Sequence, residues 1–254
     1  MRIAVFHPGA MGSRLAAQLV AAGHEVHWDP EGRSPASVER AEAAGLIGTP
    51  FADAVGAADA VLCSCAPQGA VDVAARVGAA GFTGIYIEAN PLSPSSLRKA
   101  QEALPDATFV DAGVLGPPPV GGPLPTHLML SGSAAQQVAE FWAGTALTPM
   151  VVGAEVGAAS AAKAAYALYN KGKAALAVLA FQLAEKHGVT DALTAQHVRL
   201  DAEALKDPGL PDNLRRVAWR WGPEFDELGE TLDAAGLEGD AARALRQVWT
   251  KLSQ

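Results

Sequence analysis

Short apolar runs alternate with alanine-rich, helix-compatible segments along the first 150 or so residues. This alternation is typical of a parallel sheet whose strands are joined by helices. The predicted strands are Ile3–Phe6, Glu25–Trp28, Ala60–Cys63, Ile85–Glu88, Thr108–Asp111, His127–Ser131 and Thr148–Val152. The predicted helices between them are Met11–Ala22, Pro35–Ala44, Ala70–Val77, Pro94–Leu104 and Ala135–Ala143.

The pattern changes after Val152, where strand signals stop. A stretch rich in Ala, Leu and Lys without proline predicts one long helix over Gly157–Lys186. The further helices predicted are Asp191–Lys206, Leu214–Ala235 and Asp240–Leu252. Gly222 followed by Pro223 is expected to kink or break the second of these three. We therefore predict an α/β domain at residues 1–152 and an all-helical domain at residues 153–254.

Composition narrows the class of function. A formal net charge of -8 over 254 residues, without a cluster of Lys and Arg, argues against a nucleic-acid surface. The first apolar run leads directly into a glycine loop, and Ala174–Phe181 is too short to span a bilayer, so we expect no membrane partner and a cytoplasmic location. Cys63 and Cys65 are too few for a zinc centre; we predict reduced packing residues and no metal site.

A glycine loop lies between the first predicted strand and the first predicted helix. Its residues are His7-Pro8-Gly9-Ala10-Met11-Gly12, and a second strand follows the helix. In this context Gly9 lets the backbone approach a pyrophosphate, Gly12 lets helix and strand pack closely, and the helix N-terminus offers amides to the phosphates. His7 stands where the usual fingerprint has its first glycine. The loop predicts a Rossmann-type, doubly wound, mainly parallel sheet that binds NAD(P).

The end of the second strand bears on the choice of nucleotide. Arg33 and Ser34 are suited to the additional phosphate of NADP, through a guanidinium and a hydroxyl. Asp29 is the kind of residue that binds the ribose hydroxyls of NAD, but it also suits a turn before Pro30. We favour NADP(H) over NAD(H).

Four segments resemble the β-hydroxyacid dehydrogenase and 6-phosphogluconate dehydrogenase superfamily over most of the chain. Gly9-Ala-Met-Gly12 is similar to the family's glycine loop, and Cys65-Ala66-Pro67 is similar to its proline-ended loop under the riboses. Phe109-Val-Asp-Ala-Gly-Val-Leu-Gly116 is similar to its substrate motif, and Gly157-Ala-Ala-Ser-Ala-Ala-Lys163 to the motif that carries its catalytic lysine. Bacterial members with a His-Pro-Gly loop and a short helical tail are similar in both features.

The resemblance implies roles for these residues. It implies a cleft between the two domains in which Lys163 is the general acid or base, and a substrate segment of Asp111, Gly113, Val114, Leu115 and Gly116. It also places Asn90 in a turn that faces the nicotinamide, although Asn90 equally suits the cap of a turn before Pro91. His7 lies beside the expected pyrophosphate path, and turn packing is an equally good interpretation of it.

Two departures from the family pattern affect the substrate. The substrate motif is followed by Pro117, Pro118 and Pro119, which lack the amide hydrogens that hold a carboxylate in the family. Three residues after Lys163 the family has an asparagine, whereas this chain has Tyr166, with Asn170 one turn further. All three side chains share one helix face, so Lys163 with Tyr166 and Asn170 forms the predicted catalytic set. A solvated surface lysine is the alternative for Lys163.

Together these features predict reversible hydride transfer between NADP(H) and a small hydroxy or keto acid, or a related carbonyl. An imine reductase is the nearest alternative, because Tyr166 and the changed anchors suit a C=N substrate without a carboxylate. A protein that binds NADPH without turnover, as a sensor, is an alternative of another class. The apolar stripe on the long helix predicts a homodimer through the helical domain.

Overall fold

Within residues 1–119, 125–196, 207 and 209–254, which a computed structural model describes, eight strands form one sheet. The strands are β1 (Arg2–Phe6), β2 (Glu25–Trp28), β3 (Ile47–Gly48), β4 (Ala60–Cys63), β5 (Ile85–Glu88), β6 (Thr108–Leu115), β7 (Thr126–Ser131) and β8 (Leu147–Gly153). Their order in the sheet is β3-β2-β1-β4-β5-β6-β7-β8, and the β6–β7 pair is antiparallel, whereas the others are parallel. The order reverses direction between β1 and β4, as in a doubly wound sheet.

Helices connect the strands. They are α1 (Gly12–Ala21), α2 (Pro35–Ala43), α3 (Phe51–Gly56), α4 (Ala70–Ala79), α5 (Pro94–Glu102) and α6 (Ala135–Ala139). Short 3-10 turns precede α4 at Pro67–Gly69 and follow α6 at Glu140–Trp142. Ser34 and Ser93 each cap the helix that follows, with proline at its first position.

The rest of the chain is helical where it is described. Its helices are α7 (Ala158–Lys186), α8 (Thr190–Ala195), α9 (Leu210–Ala234) and α10 (Asp240–Leu252). Of the kink or break expected at Pro223, the break is wrong, because α9 continues through Pro223 as one helix, and the kink stays a prediction. Most of the predicted helix Asp191–Lys206 lies outside the described residues.

The predicted doubly wound, mainly parallel sheet followed by a helical region is confirmed. All seven predicted strands are present. The sequence did not predict β3 and α3, because elements of two and six residues are too short to show a periodic pattern. The largest difference in length is at β6, which continues past Asp111 to Leu115 and so includes most of the predicted substrate segment.

Apolar side chains cover both faces of the sheet. One face packs Leu15 and Leu19 of α1 against strand residues such as Ile3, and the other packs α4 and α5 against residues such as Phe6. Burial on both faces explains why the strands read as continuous apolar runs. No helix among the described residues is long and apolar enough to cross a membrane.

The chain divides into two compact units, Met1–Lys163 and Ala164–Gln254. The division falls inside α7, so the first turns of this helix belong to the sheet unit. The helical unit has its own core, in which Trp249 meets Trp221 edge-on with ring centroids 4.8 Å apart and also packs against Phe225.

Candidate functional site

The predicted glycine loop joins β1 to α1. A Cβ atom added to Gly12 would lie 2.9 Å from the carbonyl oxygen of His7 and 3.2 Å from Cβ of Ser64, so only glycine fits there. Gly9 faces open space. No side chain caps α1 and no acidic residue lies in its first turn, so neither competes with an anion at the positive end of this helix.

Positive charge surrounds the loop. Burial and the nearby cations Arg33 and Arg76 lower the pKa of His7 to about 4, while Asp29 opposes the shift. His7 is therefore neutral at pH 7. Nδ1 of His7 and Nε of Arg33 are buried without a hydrogen-bond partner among the described residues. Two unpaired polar nitrogens beside a helix N-terminus fit a ligand that carries phosphate groups.

The residues after β2 are held by local turns. The Asp29 side chain is buried, and its carboxylate accepts a hydrogen bond from the Glu31 amide at 3.0 Å. This is the turn chemistry considered for Asp29 in the sequence. The Ser34 hydroxyl accepts a hydrogen bond from the Ser37 amide at 3.3 Å as the cap of α2, and the residue is exposed.

The loops after β4 and β5 meet at Asn90. The Asn90 side-chain amide donates to the Glu88 carboxyl group, and its nitrogen lies 3.4 Å from Sγ of Cys63 and 3.7 Å from Sγ of Cys65. The backbone amide of Asn90 also donates to Glu88, at 3.1 Å. Two predicted site residues, Cys65 and Asn90, are thus brought together, and Ala66 and Pro67 continue from them into the 3-10 turn.

Glu88 was missed as a site residue by the sequence analysis. Its side chain is fully buried at the carboxyl end of β5, and burial raises the pKa of Glu88 to about 8. Hydrogen bonds from Asn90 and Cys63 oppose the shift, whereas the neighbouring carboxyl of Asp111 adds to it. The signal available in the sequence was one acidic residue at the end of an otherwise apolar strand, Ile-Tyr-Ile-Glu88.

Asp111 is the next residue across the sheet, in the middle of β6 and in register with Glu88. Its carboxyl group is fully buried, and it accepts hydrogen bonds from the Gly157 amide at 3.0 Å, the Ser160 amide at 2.9 Å and the Ser160 hydroxyl at 2.6 Å. The Ser131 hydroxyl donates as well, at 3.1 Å. Burial raises the pKa of Asp111, and these four donors oppose that shift. Asp111 therefore binds the N-terminus of α7 to the sheet.

Lys163 lies in the second turn of α7, beside Gly113 of β6. A Cβ atom added to Gly113 would be 2.9 Å from Cβ of Lys163 and 2.8 Å from the carbonyl oxygen of Ala159. Only glycine allows the helix to approach the strand this closely. The predicted substrate segment and the predicted catalytic lysine are thus in contact.

The predicted substrate segment ends with the last residues of β6 and with Gly116. Val114 is buried and Leu115 is half-buried, and Gly116 has a φ of +106°, which favours glycine. The Thr126 hydroxyl donates to the carbonyl oxygen of Pro117 at 2.5 Å. The contact thus uses a backbone carbonyl, in a stretch whose prolines have no amide to donate.

Tyr166 and Asn170 lie further along α7, in the helical unit. Tyr166 is exposed, and the side-chain amide of Asn170 donates to the Tyr166 carbonyl oxygen at 3.1 Å. The Asn170 amide is therefore turned back along its own helix. Convergence of both residues with Lys163 stays a prediction.

Known proteins resemble this chain along most of its length. A family model described as "Domain of unknown function (DUF1932)" matches residues 184–252. An uncharacterized 28.5 kDa protein of Methanothermus fervidus is 29% identical over 194 residues, which are 76% of this chain and 74% of that protein.

Solved structures match nearly the whole chain. The conserved protein MTH1747, described as structurally similar to 3-hydroxyacid dehydrogenases, is 27% identical with a TM-score of 0.72, covering 99% of this chain and 96% of its own. Mycobacterium tuberculosis 3-hydroxyisobutyrate dehydrogenase with L-serine is 21% identical, with a TM-score of 0.70 and coverages of 99% and 93%. A Streptomyces aurantiacus imine reductase is 20% identical, with a TM-score of 0.56 and coverages of 98% and 93%. At identities of 21% and 20%, the last two matches establish the fold alone.

The raised pKa of Glu88 predicts a pH dependence of stability. Between the ordinary pKa of 4.5 and the folded-state value of about 8, the folded protein keeps a proton that the unfolded chain has released. The free energy of unfolding should therefore fall as pH rises through this window, by up to about 1.4 kcal/mol per pH unit. Glu88→Gln should remove this slope.

Urea unfolding of both proteins at several values from about pH 5 to about pH 8 measures the difference. The difference between wild type and variant isolates Glu88 from His7, whose lowered pKa acts in the opposite direction. Glu102→Gln, at an exposed position of α5, is the matched control and should keep the wild-type slope. Parallel profiles of wild type and Glu88→Gln would contradict the assignment.

Proposed function

We propose that the chain is a member of the β-hydroxyacid dehydrogenase and 6-phosphogluconate dehydrogenase superfamily and an NADP(H)-dependent oxidoreductase of small carbonyl substrates, which its likeness to MTH1747 supports. The observation that carries this proposal is the contact between Gly113 and Lys163. The base of the Lys163 side chain lies against the strand segment that resembles the family's substrate motif, which supports a catalytic role for its amine.

The residues around the glycine loop suit the dinucleotide. When bound, the reduced nicotinamide supplies the hydride. His7, Pro8, Gly9, Ala10, Met11 and Gly12 would hold the pyrophosphate at the N-terminus of α1. Arg33, whose Nε is buried without a partner among the described residues, would take the additional phosphate of NADP, with Ser34 beside it. Cys65, Ala66, Pro67 and Asn90 would line the riboses and the nicotinamide.

Lys163 is the proposed general acid. A carbonyl that accepts hydride develops negative charge on its oxygen, and an ammonium group placed there stabilises the charge and donates a proton. Tyr166 and Asn170 are the proposed orienting residues. Asp111 acts through α7 as a positioning residue, since its buried carboxyl group is occupied by the helix N-terminus.

The proposed substrate is a small hydroxy or keto acid, or a related carbonyl, beside Gly113, Val114, Leu115 and Gly116. Pro117, Pro118 and Pro119 favour a second candidate, an imine reductase, because a site with fewer amide donors suits a substrate without a carboxylate. A screen of NADPH oxidation against keto acids, aldehydes and cyclic imines separates the two.

Replacing Lys163 tests the catalytic role. Lys163→Met should lower kcat by about 100-fold or more, because a positioned general acid contributes that much. The affinity for NADPH, measured by calorimetry, should change by less than about twofold. Lys173→Met, at an exposed position on the same helix, is the control and should retain activity. A Lys163→Met protein with full activity would exclude this role, and NADPH binding without turnover of any substrate class would favour the sensor.

Replacing Arg33 tests the choice of nucleotide. Arg33→Ala should weaken NADPH binding by about tenfold or more, since it removes charge-assisted hydrogen bonds to the additional phosphate. NADH, which lacks that phosphate, is the internal control and should bind the variant and the wild type alike. An equal loss for both nucleotides would show that Arg33 acts on the shared part of the ligand.

A homodimer through the helical unit is part of the proposal. Tyr169, Leu176 and Leu183 lie seven residues apart on α7 and are 68%, 59% and 62% exposed in the single chain. Leu183→Glu should convert the dimer to a monomer in light scattering, because a charge would be buried in an apolar contact. Leu237→Glu, at a residue 60% exposed outside α7, should remain dimeric. A monomeric wild type would contradict the dimer.

A further inference from the structure

The two cysteines of the chain lie side by side at the end of β4. Their sulfur atoms are 3.9 Å apart, and both are free thiols. Both sulfurs also lie near the side-chain amide of Asn90. A disulfide requires a sulfur–sulfur distance of about 2.05 Å, so an approach of about 2 Å would join them.

The two thiols differ in access. Cys63 is fully buried, and burial raises the pKa of its thiol well above the usual range. The backbone of Cys63 is held on both sides, by pairing with Phe6 of β1 and Glu88 of β5. Cys65 is half-buried in the loop beyond the strand. Movement toward a disulfide therefore falls on the loop residue.

We propose that Cys63 and Cys65 form a reversible disulfide in the presence of hydroperoxides, and that this bond weakens cofactor binding at the glycine loop. The second part rests on the proposed function. The pair is thus a modification site next to the predicted dinucleotide loop.

The chemistry proceeds in two balanced steps. The Cys65 thiolate attacks one oxygen of hydrogen peroxide; the O–O bond breaks, a sulfenic acid forms, and the departing hydroxide takes a proton to become water. The Cys63 sulfur then attacks the Cys65 sulfur; the S–O bond breaks, and a second water leaves with the Cys63 proton. The two sulfurs lose two electrons in total, and the peroxide gains them.

Ser64 connects this bond to the glycine loop. It lies between the two cysteines, its amide donates to the Phe6 carbonyl oxygen at 2.7 Å, and its Cβ and carbonyl oxygen border the position where Gly12 has no room for a side chain. A shift of Cys65 toward Cys63 would displace Ser64, which is bonded to Cys65 and borders Gly12, the first residue of α1. The amides at this helix N-terminus would then be misaligned for a pyrophosphate.

The experiment treats the full-length reduced protein with a few equivalents of hydrogen peroxide. We expect both thiols to disappear, the mass to fall by two hydrogens, and peptide mapping to identify a Cys63–Cys65 bond within one chain. We expect the oxidised protein to bind NADPH about tenfold or more weakly, as for the loss of a charge-assisted hydrogen bond. Dithiothreitol should restore both thiols and affinity, which distinguishes the disulfide from oxidation of Met11, since thiols of this kind do not reduce methionine sulfoxide.

Cys63→Ser provides the control, because it keeps the side-chain size and cannot form the bond. After peroxide, this variant should carry a sulfenic acid on Cys65 that dimedone traps, and no mass loss of two hydrogens. Cys63→Ala serves the same purpose if the buried hydroxyl prevents folding, and the mapping of the wild-type protein does not depend on either variant.

Each outcome decides the proposal. Survival of both thiols, a bond between two chains, or modification of Cys65 alone in the wild type would overturn it. A disulfide without a change in NADPH affinity would overturn the link to the loop. Absence of NADPH binding by the reduced protein would instead contradict the proposed function, and the thiol count and mass would still report on the disulfide.

Discussion

The buried carboxyl group of Asp111 is the contact on which the predicted catalytic geometry depends. The residue before α7 is Gly157, which has no side chain to cap the helix, and the cap is supplied instead from β6. The same carboxyl group accepts the Ser160 hydroxyl, so the first turn of α7 is fixed to the sheet at two points. Because Lys163 lies one turn beyond Ser160, fixing this turn also fixes the base of the lysine against Gly113.

Asp111 belongs to a row of polar groups that crosses three neighbouring parallel strands, at the ends of β4 and β5 and in the middle of β6. Cys63, Glu88 and Asp111 are in register and fully buried. Burial disfavours the charged form of each group in this row. The two carboxyl groups differ in the number of hydrogen-bond donors that face them. Four donors face Asp111, whereas Glu88 receives donors from Asn90 on one oxygen and leaves the other without a partner among the described residues. Burial raises the pKa of both carboxyl groups, and the hydrogen bonds that each one accepts oppose the shift.

The sequence predicted the elements whose structure depends on residues close together in the chain, namely the strands and the glycine loop. Two-sided burial makes the strands read as apolar runs, and the sequence from His7 to Gly12 contains its whole turn, so the sheet and the loop were predictable. The link from Asp111 to Ser160 spans 49 residues and depends on the finished fold, and no local pattern indicates it. The sequence also did not predict that α9 continues through Pro223. The cost of a proline inside a helix is outweighed here by packing that periodicity does not show. The buried neighbours Gly222 and Phe225 belong to that packing.

The charge differs between two regions of the sheet unit, the glycine loop and the ends of β4 and β5. Around the glycine loop, Arg33 and Arg76 keep positive charge near His7 and hold that imidazole neutral, which suits a ligand with several phosphates. At the ends of β4 and β5 the groups are a thiol and a carboxyl whose pKa values burial raises, so this region carries little charge at pH 7. Hydride transfer in the proposed reaction moves negative charge toward the substrate, and in that proposal the ammonium group of Lys163 stabilises it. A neutral Glu88 adds no negative charge at the end of β5, so its burial has an electrostatic as well as a structural consequence.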